Sequence, residues 1–459
     1  GALHIFDLPV SHSRISGVHY FFSTRISPQP LYSHAEPVHL LLALDVETIR
    51  RHVDAVVPGG GIVYDEKEPP PDDLRRSKVG FFPMPLSALA KEHGGSEVMR
   101  NTLILGVAAG LLGFDPTYME SVIRENFGRK GQAVVDANLK VTEAGIEAAH
   151  PFQADFAFRM EAIPSVPPRL LLNGNQAFAM GALAGGCRFV AGYPMTPGSP
   201  VLEWMAAHAA EYGVVAAQVE DEIAAACAVV GAAQAGVRAL TPTSGGGFCL
   251  MVEALGLAGM TEVPIVIYEA QRPGPSTGLA TRTEQGDLLF ALHASHGEFP
   301  RVLLAPGTVE QSFEAGWRAF NLAERCQSPA IVLSDHFLAN ALRTVEALNF
   351  DAVTIDRGEL LSDADLDTLP GEYRRHAFTA SGVSPRAIPG HPRAVYASSS
   401  DEHDEYGHIL EDADNRSRMM DKRMHKSEAV RPEMRPPTLY GTSEAEVTFV
   451  GWGSTYGPL

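Results

Sequence analysis

Positive charge is scarce in this sequence, and long apolar runs are missing from it. Its 36 Lys and Arg residues stand against 55 Asp and Glu residues, which gives a formal net charge of −19. Nucleic acids and anionic membranes attract proteins through a positive field, so neither is an expected partner. No apolar stretch reaches the roughly 18 residues of a membrane span, and no signal peptide is visible at the start.

An initiator Met is also missing from this sequence. The chain instead begins in an apolar stretch that is typical of a strand. It ends at Leu459, shortly after another apolar stretch and a Gly-rich turn. We therefore expect that further chain is missing at both ends.

Cysteine is rare, and no two cysteines form a C-x-x-C pair. This spacing disfavours a structural zinc site or an iron–sulfur cluster held by this chain alone. Each cysteine lies among apolar or Ala/Gly-rich neighbours, so we expect reduced core residues and a cytoplasmic location. The four are Cys187, Cys227, Cys249 and Cys326.

The first part of the 459-residue chain alternates between strand-like and helix-like patterns. At about 150 residues per domain, the length indicates about three domains. Residues 39–44 form an apolar run that predicts a buried strand, and residues 46–53 predict a short helix. Three glycines at 59–61 predict an interruption of the chain. Residues 101–150 have mostly helical apolar spacing, so an open α/β domain is expected over residues 1–158.

Regular alternation of strand and helix patterns follows a linker marked by Pro164, Pro167 and Pro168. Asn175 is positioned to cap the first helix, and Thr308 and Gln311 have the spacing of a capping box. Such alternation predicts a parallel, doubly wound sheet over residues 169–344. The predicted strands are 169–172, 188–191, 214–217, 238–241, 264–268 and 329–333.

Residues 345–437 lack this periodicity and are rich in Pro, Asp, Arg and His. We interpret them as an extended crossover segment with one helix near residues 415–426. Their charge pattern alone is typical of a solvated surface. Residues 438–459, with a strand expected at 446–450, predict the start of a third domain.

Ligands of open parallel sheets bind at the carboxyl ends of the strands. Four segments rich in polar, Gly or Pro residues follow predicted strands of the second domain: 193–200, 220–222, 244–247 and 271–278. Their convergence predicts a site at this edge of the sheet.

Glu222 opens a helix that is otherwise almost entirely Ala, Val and Gly. Acidic residues in a first turn complement the helix dipole, and that role alone would explain Glu222. A carboxylate entering a buried helix must otherwise be paired or functional, and it could bind a ligand nitrogen and transfer a proton. The sequence favours neither alternative over the other.

Other polar residues of these segments also have both structural and functional interpretations. Arg272 could form a structural ion pair or bind a carboxylate in bidentate fashion. Thr196 could be a turn residue or could place its hydroxyl group toward a ligand from a rigid loop. Residues 244–247 suit phosphate binding at a helix N-terminus or close helix–strand packing. His403 and His408 lack zinc-type spacing, so a solvated loop is favoured over a metal site.

The motifs resemble those of one family. Tyr193-Pro194-Met195-Thr196-Pro197 is similar to the Tyr-Pro-Ile-Thr-Pro motif of 2-oxoacid:ferredoxin oxidoreductases. The stretches 220–225, 243–245, 271–278 and 283–287 continue the resemblance in order, as the pyrimidine-binding domain of an alpha subunit. Residues 14–19 and 101–149 resemble the gamma domain, fused ahead of alpha. The gamma domain's Gly-rich turn after its first strand and most of the third domain are absent, and both departures fit truncation.

This resemblance implies the domain limits of the whole chain. It implies an α/β fold with a truncated gamma domain at 1–158 and a thiamine-diphosphate pyrimidine-binding domain at 169–344. The crossover segment would span 345–437, and the truncated start of a transketolase-C-terminal-like domain would span 438–459.

The resemblance also implies residue roles. Glu222 matches the glutamate that hydrogen-bonds the cofactor's aminopyrimidine, with Tyr193 and Pro194 beside it. Thr196 and Arg272 match residues that bind the carboxyl and carbonyl groups of the substrate, and Thr281 is a further candidate. The catalytic set is therefore Glu222, Thr196 and Arg272, with no metal ligand in this chain.

Partners and cofactors follow from the same resemblance. A beta subunit would share thiamine diphosphate and Mg²⁺ and would carry a [4Fe-4S] cluster, so this chain alone should be inactive. Coenzyme A would be the co-substrate, ferredoxin the electron acceptor, and a dimer of alpha–beta pairs the assembly. The fusion is most similar to 2-oxoglutarate enzymes, with branched-chain 2-oxoacid or pyruvate enzymes as the alternative. A non-catalytic assembly subunit is the alternative from another class.

Overall fold

The computed structural model describes residues 3–10, 19–160 and 169–459. The chain divides into two units, one of Gly1–Leu3 with Ala35–Pro167 and one of His4–His34 with Pro168–Leu459. The prolines predicted to form a linker, and residues 14–18 of the resemblance, lie outside the described residues.

Thirteen strands and fifteen α-helices occur in the described residues. The strands are β1 (His4–Val10), β2 (Phe21–Ser27), β3 (Val38–Leu42), β4 (Val56–Asp65), β5 (Gly80–Met84), β6 (Leu170–Leu172), β7 (Phe189–Gly192), β8 (Val215–Gln218), β9 (Ala239–Thr243), β10 (Val266–Gln271), β11 (Val302–Leu304), β12 (Ala330–Asp335) and β13 (Leu342–Val345). The helices are α1 (Val46–His52), α2 (Leu86–Gly94), α3 (Arg100–Leu112), α4 (Pro116–Phe127), α5 (Gln132–Ala149), α6 (Gly174–Ala184), α7 (Ser199–Ala207), α8 (Ala209–Tyr212), α9 (Glu222–Gln234), α10 (Gly245–Met260), α11 (Leu288–His293), α12 (Val309–Cys326), α13 (His336–Asn340), α14 (Asp363–Asp367) and α15 (Ala413–Val430).

The first unit is built on a parallel sheet in the order β3-β4-β5. Its core joins Val63 and Phe82 of the sheet to Leu103 and Val107 of α3 and Val141 of α5. The predicted short helix is α1, and the long helical stretch divides into α3, α4 and α5. An α/β arrangement in this part of the chain is thereby confirmed.

The glycines at 59–61 interrupt the pairing of β4 with β3 but not the strand itself, so that prediction is confirmed only in part. The register with β3 shifts between Val56 and Gly61, and Gly59 has a φ of 83°. From Gly61 onward, β4 pairs in parallel with both β3 and β5. The ring of Phe82 lies over Gly61, where a Cβ atom would approach the Phe82 Cδ2 atom to 3.1 Å, so Gly61 serves packing inside the sheet.

The second unit contains a six-stranded parallel sheet in the order β11-β12-β10-β9-β7-β8. The chain passes from β7 outward to β8 and then returns to the other side of β7 to form β9, so the strand order reverses at β7. Apolar side chains cover both faces, with Phe178 and Phe320 on one and Phe248 and Ile267 on the other. The predicted doubly wound parallel sheet is confirmed.

A second sheet of this unit was not predicted from the sequence. It has the order β2-β1-β13-β6, and all three pairings are antiparallel. Phe6 pairs with Arg343 in this sheet. Residues 4–34 consequently belong to the second unit, whereas the sequence analysis assigned residues 1–158 to a single domain. Pairing across more than 300 residues leaves no mark on local periodicity, which is the only signal that the sequence offered.

Residues 345–437 have little regular structure, as expected, and the expected helix is α15. The prediction of a solvated charged surface is wrong for this helix, because Lys422, Arg423 and Lys426 are buried. The Nζ atoms of Lys422 and Lys426 donate to the Glu262 carboxylate at 2.6 and 2.7 Å. These two ammonium groups outweigh the effect of burial and hold the pKa of Glu262 well below its usual value.

A second buried carboxylate fixes the start of the same segment. Glu324 of α12 accepts hydrogen bonds from Arg238 at 2.9 Å, Arg357 at 2.8 Å and Arg386 at 2.8 Å. Arg357 and Arg386 belong to the crossover segment, and Arg238 directly precedes β9. The segment is therefore fastened to the sheet domain through charged groups as well as apolar ones.

Residues 446–450 form no strand in the described chain, contrary to the prediction. Val447, Phe449 and Val450 are exposed. A strand needs a partner for its backbone groups, and no described strand lies alongside these residues to supply one. Their apolar pattern alone was therefore a poor indicator of local structure.

Replacement of Glu262 by Gln tests the fastening of the crossover segment. Two buried ammonium groups would lose their countercharge, so we expect the free energy of unfolding to fall by about 3–5 kcal/mol. Chemical denaturation would measure the change. Glu428→Gln, which removes the exposed pair with Arg431, is the control and should change the unfolding free energy by less than about 1 kcal/mol. Equal effects of the two substitutions would contradict a role for the buried ion pairs.

Candidate active site

The loop after β7 is fixed from beneath by a buried asparagine. Asn175 does not cap α6 as predicted, because Asn173 accepts the capping hydrogen bond from the Gln176 backbone N–H. The Asn175 side chain instead donates to the Pro197 carbonyl at 2.9 Å and accepts from the Tyr268 hydroxyl at 2.8 Å. A fully buried amide with these partners holds the loop against the sheet.

Arg272 and Thr196 meet at the carboxyl ends of β10 and β7. The Arg272 Nη1 atom donates to the Thr196 carbonyl at 2.6 Å. The Arg272 Nε atom is buried and has no hydrogen-bond partner in the described part of the chain. Burial lowers the pKa of Arg272, and the nearby Glu222 carboxylate partly offsets this effect. The guanidinium group therefore keeps donor capacity beside Glu222.

Glu222 is the first residue of α9 and is only 4% exposed. Asp221 is the capping residue, because its side chain accepts from the Ala224 backbone N–H at 2.7 Å. The Glu222 Oε1 atom is buried without a hydrogen-bond partner among the described residues. Capping of the helix N-terminus therefore does not explain why an acid occupies position 222. Its carboxylate offers an unfilled acceptor at the point where the strand order reverses.

The glycines after β9 bring α10 close to this carboxylate. A Cβ atom on Gly247 would lie 2.8 Å from both Cγ and Oε1 of Glu222. A Cβ atom on Gly245 would lie 2.5 Å from Oδ2 of Asp287. Two carboxylates already crowd the first turn of α10, so the arrangement favours the close-packing interpretation of residues 244–247 over phosphate binding.

Three further predicted site residues lie near this edge without joining the hydrogen bonds at its centre. Tyr193 is 40% exposed in the loop after β7, and Pro194 beside it is also exposed. Thr281 is partly buried in the loop after β10, and its carbonyl accepts from Arg282 at 3.2 Å. Their assigned roles remain predictions.

Sequence analysis missed two acids beneath the site, Glu269 and Asp287. Glu269 lies within β10, is fully buried, and has no hydrogen-bond partner for either carboxylate oxygen among the residues described. A lone acid inside the apolar run of residues 263–270 was the available signal. Periodicity directed attention to the end of that strand rather than to its interior.

Two predictions about individual side chains need correction. Cys227 and Cys249 are exposed on α9 and α10, so only Cys187 and Cys326 are core residues. His408 is exposed as expected, but His403 is fully buried, and its Nδ1 atom lies 2.9 Å from the Asp401 carbonyl.

One group of side chains in the described residues has the proximity of a metal site: Glu262, His376 and His403. The carboxylate of Glu262 is already neutralised by Lys422 and Lys426. An added dication would meet both ammonium groups at close range, so this group is an ion-pair network rather than a metal centre.

Comparison with known families places this geometry in a class. Residues 180–422 match the family described as "Pyruvate flavodoxin/ferredoxin oxidoreductase, thiamine diP-bdg". Residues 1–148 match the family "Pyruvate ferredoxin/flavodoxin oxidoreductase". The chain therefore belongs to the thiamine-diphosphate-binding pyruvate ferredoxin/flavodoxin oxidoreductase family.

Similar proteins specify the subunit. The chain is 33% identical to "2-oxoacid:ferredoxin oxidoreductase 1, subunit alpha" of Sulfurisphaera tokodaii, over 98% of this chain and 78% of that protein. It is 30% identical to "2-oxoglutarate oxidoreductase subunit KorA" of Mycobacterium tuberculosis, over 95% and 70% respectively. It is the alpha subunit of a 2-oxoacid:ferredoxin oxidoreductase.

A solved structure shares the fold over nearly the whole chain. It is a 2-oxoglutarate:ferredoxin oxidoreductase from Magnetococcus marinus with 2-oxoglutarate, coenzyme A and succinyl-CoA bound. The TM-score is 0.91 at 32% identity, over 99% of this chain and 79% of that one. Among the described residues, none of the helices has the length and apolarity that crossing a membrane requires.

Substitutions of adjacent glycines test the packing around Glu222. Gly247→Ala places a methyl group against both the Thr243 hydroxyl and the Glu222 carboxylate, so we expect thiamine diphosphate to bind the assembled enzyme about a hundredfold more weakly. Gly246→Ala is the control, because the nearest atom to its added methyl group would be the Ser276 carbonyl oxygen at 3.7 Å. Calorimetric titration measures both affinities. Equal affinities for the two variants would show that Gly247 does not position Glu222.

Proposed function

We propose that this subunit, with a beta subunit, catalyses the oxidative decarboxylation of 2-oxoglutarate. Coenzyme A takes the four-carbon acyl group to give succinyl-CoA, carbon dioxide leaves, and two electrons pass to ferredoxin. The observation that carries the proposal is the Glu222 Oε1 atom, which is buried near Arg272 at the strand-order reversal and has no hydrogen-bond partner among the described residues. Similarity to KorA and to the Magnetococcus marinus enzyme supports the choice of 2-oxoglutarate.

The residues present fit the aminopyrimidine of thiamine diphosphate. The Glu222 Oε1 atom is buried and lacks a donor, and a ring nitrogen that carries a proton would satisfy it. Tyr193 and Pro194 would border the ring from the loop that Asn175 fixes. Thiamine diphosphate, when bound, supplies the electron sink for decarboxylation. The chain's own contribution is to orient the ring and to hold or release a proton at the Glu222 carboxylate.

Arg272 and Thr196 suit the substrate. Hydrogen bonding to the Thr196 carbonyl fixes the guanidinium group, and the remaining N–H groups are able to bind a carboxylate in bidentate fashion. The exposed Thr196 lies in the same loop and would direct its hydroxyl to the oxo group. Thr281 is proposed as a further contact from the loop after β10.

The partner subunit would supply what this chain lacks. None of the four cysteines has the spacing of a cluster motif, and two of them are buried. A beta subunit holding the [4Fe-4S] cluster and, with this chain, thiamine diphosphate and Mg²⁺ completes the proposal. We further propose a dimer of alpha–beta pairs that works in the cytoplasm with ferredoxin as electron acceptor.

Glu222→Gln tests the proposed role of the carboxylate. The full-length chain co-expressed with its beta subunit would be assayed for ferredoxin or viologen reduction with 2-oxoglutarate and coenzyme A. We expect activity to fall by about 10²–10⁴-fold, because the amide keeps the shape but holds no proton for transfer. Glu220→Gln, at an exposed position two residues earlier, should retain wild-type activity.

A panel of 2-oxoacids in the same assay separates the alternatives. The highest kcat/KM is expected with 2-oxoglutarate, and preference for pyruvate or a branched-chain 2-oxoacid would overturn the substrate assignment. An assembled complex with an intact cluster that binds no thiamine diphosphate would favour a non-catalytic assembly subunit.

Arg272→Lys tests carboxylate capture. A lysine cannot reproduce the bidentate geometry, so we expect KM for 2-oxoglutarate to rise by about ten- to a hundredfold. Thiamine diphosphate affinity, measured by calorimetry, should stay the same and serves as the internal control. An unchanged KM would assign the substrate carboxyl group to another residue.

A further inference from the structure

Glu269 and Asp287 are two acids beneath the proposed active site, and they lie close enough for the Asp287 carboxyl group to act on Glu269. Glu269 lies on β10 opposite Thr243 of β9 and is fully buried. Both of its carboxylate oxygens, and Oδ2 of Asp287, are buried without a hydrogen-bond partner in the described residues. Within the described part of the chain, no cationic group acts on either acid. Burial and the neighbouring Asp287 carboxyl group raise the pKa of Glu269 well above its usual value.

The backbone of Asp287 is fixed to the sheet. Its N–H donates to the Gln271 Oε1 atom at 3.0 Å, and the Gln271 Nε2 atom donates to the Ser334 carbonyl at 2.9 Å. Gln271 and Ser334 belong to the neighbouring strands β10 and β12. The backbone of Asp287 is therefore held by two strands rather than by its loop alone.

The first turn of α10 lies directly against this pair. A Cβ atom on Gly245 would approach Asp287 Oδ2 to 2.5 Å, so only glycine allows the observed contact. One turn later, partial desolvation of the otherwise exposed Cys249 raises the pKa of its thiol, and the charges of Asp287 and Glu269 raise it further. The opposite side of the same turn touches Glu222 through Gly247. The turn is thus packed between the acid pair and the candidate catalytic carboxylate.

Two ionised carboxylates would repel each other here, because neither has a cation and one is fully buried. The titratable groups that face the pair are Cys249 on α10 and Glu284 in the preceding loop, and neither supplies positive charge. One proton shared between the two acids removes the repulsion and leaves one negative charge. That charge faces the N-terminus of α10, which the helix dipole favours.

We propose that Glu269 and Asp287 share one proton and are positioning residues for the reaction, because together they hold the first turn of α10 against Glu222. Neither touches the reacting atoms. The activity part of this inference rests on the proposed function, whereas the proton sharing does not. Glu269→Gln should preserve the arrangement, since the neutral amide has the shape of the protonated acid and would still donate to Asp287.

The first test is the melting temperature of the assembled enzyme as a function of pH. In the folded protein Glu269 keeps its proton at pH values where the unfolded chain, with a Glu pKa of about 4.3, has lost it. The folded state then binds more protons, so stability falls as pH rises above that value until Glu269 itself ionises. Glu269→Gln should flatten this fall, and Glu253→Gln, an exposed acid on α10, should leave it unchanged. Parallel curves of melting temperature against pH for wild type and Glu269→Gln would overturn the proposal of a shared proton.

The second test is thiamine diphosphate affinity, measured by calorimetry without any 2-oxoacid. We expect Glu269→Gln to bind within about twofold of wild type and Glu269→Ala to bind about tenfold more weakly, because the turn against Glu222 loses its support. Wild-type affinity in Glu269→Ala, or equal losses in both variants, would overturn the positioning role.

A wild-type enzyme that binds thiamine diphosphate but uses no 2-oxoglutarate would refute the substrate assignment alone. If wild type binds no thiamine diphosphate, the proposed function fails, and the melting curves still decide whether the proton is shared.

Discussion

The close contact between Gly247 of α10 and the Glu222 carboxylate is the constraint on which the rest of the site depends. It requires glycine in the first turn of one helix and an acid in the first turn of another, with both helices starting at the same edge of the sheet. The two helix starts meet at that edge where the strand order reverses, at β7. Loops from β7 and β10 then bring Thr196 and Arg272 to it, and Asn175 and Tyr268 hold the first of these loops from inside the core.

Charged groups fulfil two distinct tasks in the second unit. Glu262 and Glu324 are buried with lysines and arginines that neutralise them, so they fasten the crossover segment to the sheet domain. Glu269 is buried without such a cation among the described residues, whereas Glu222 lies near Arg272 but keeps a buried Oε1 atom that has no hydrogen-bond partner there. Uncompensated burial is costly, and at an active site it is retained because it shifts proton affinity or leaves an acceptor for a ligand.

The sequence predicted the doubly wound sheet because strand and helix patterns alternate regularly there, and it predicted the site edge because polar, Gly- or Pro-rich segments follow four of the predicted strands. It failed for the antiparallel sheet, where Phe6 pairs with Arg343, since local periodicity carries no information on distant pairing. It also failed for Lys422 and Lys426, whose burial depends on Glu262, 160 and more residues away. Glu222 was correctly singled out, but only the structure shows that Asp221 performs the capping and leaves Glu222 free for another role.

The role of Glu222 is best tested by a structure of the assembled enzyme with thiamine diphosphate bound. We expect a nitrogen of the aminopyrimidine about 2.6–3.2 Å from a carboxylate oxygen of Glu222, with the ring beside Tyr193 and Pro194. A ring bound elsewhere, with the Glu222 carboxylate paired to Arg272 or filled by water, would contradict this role.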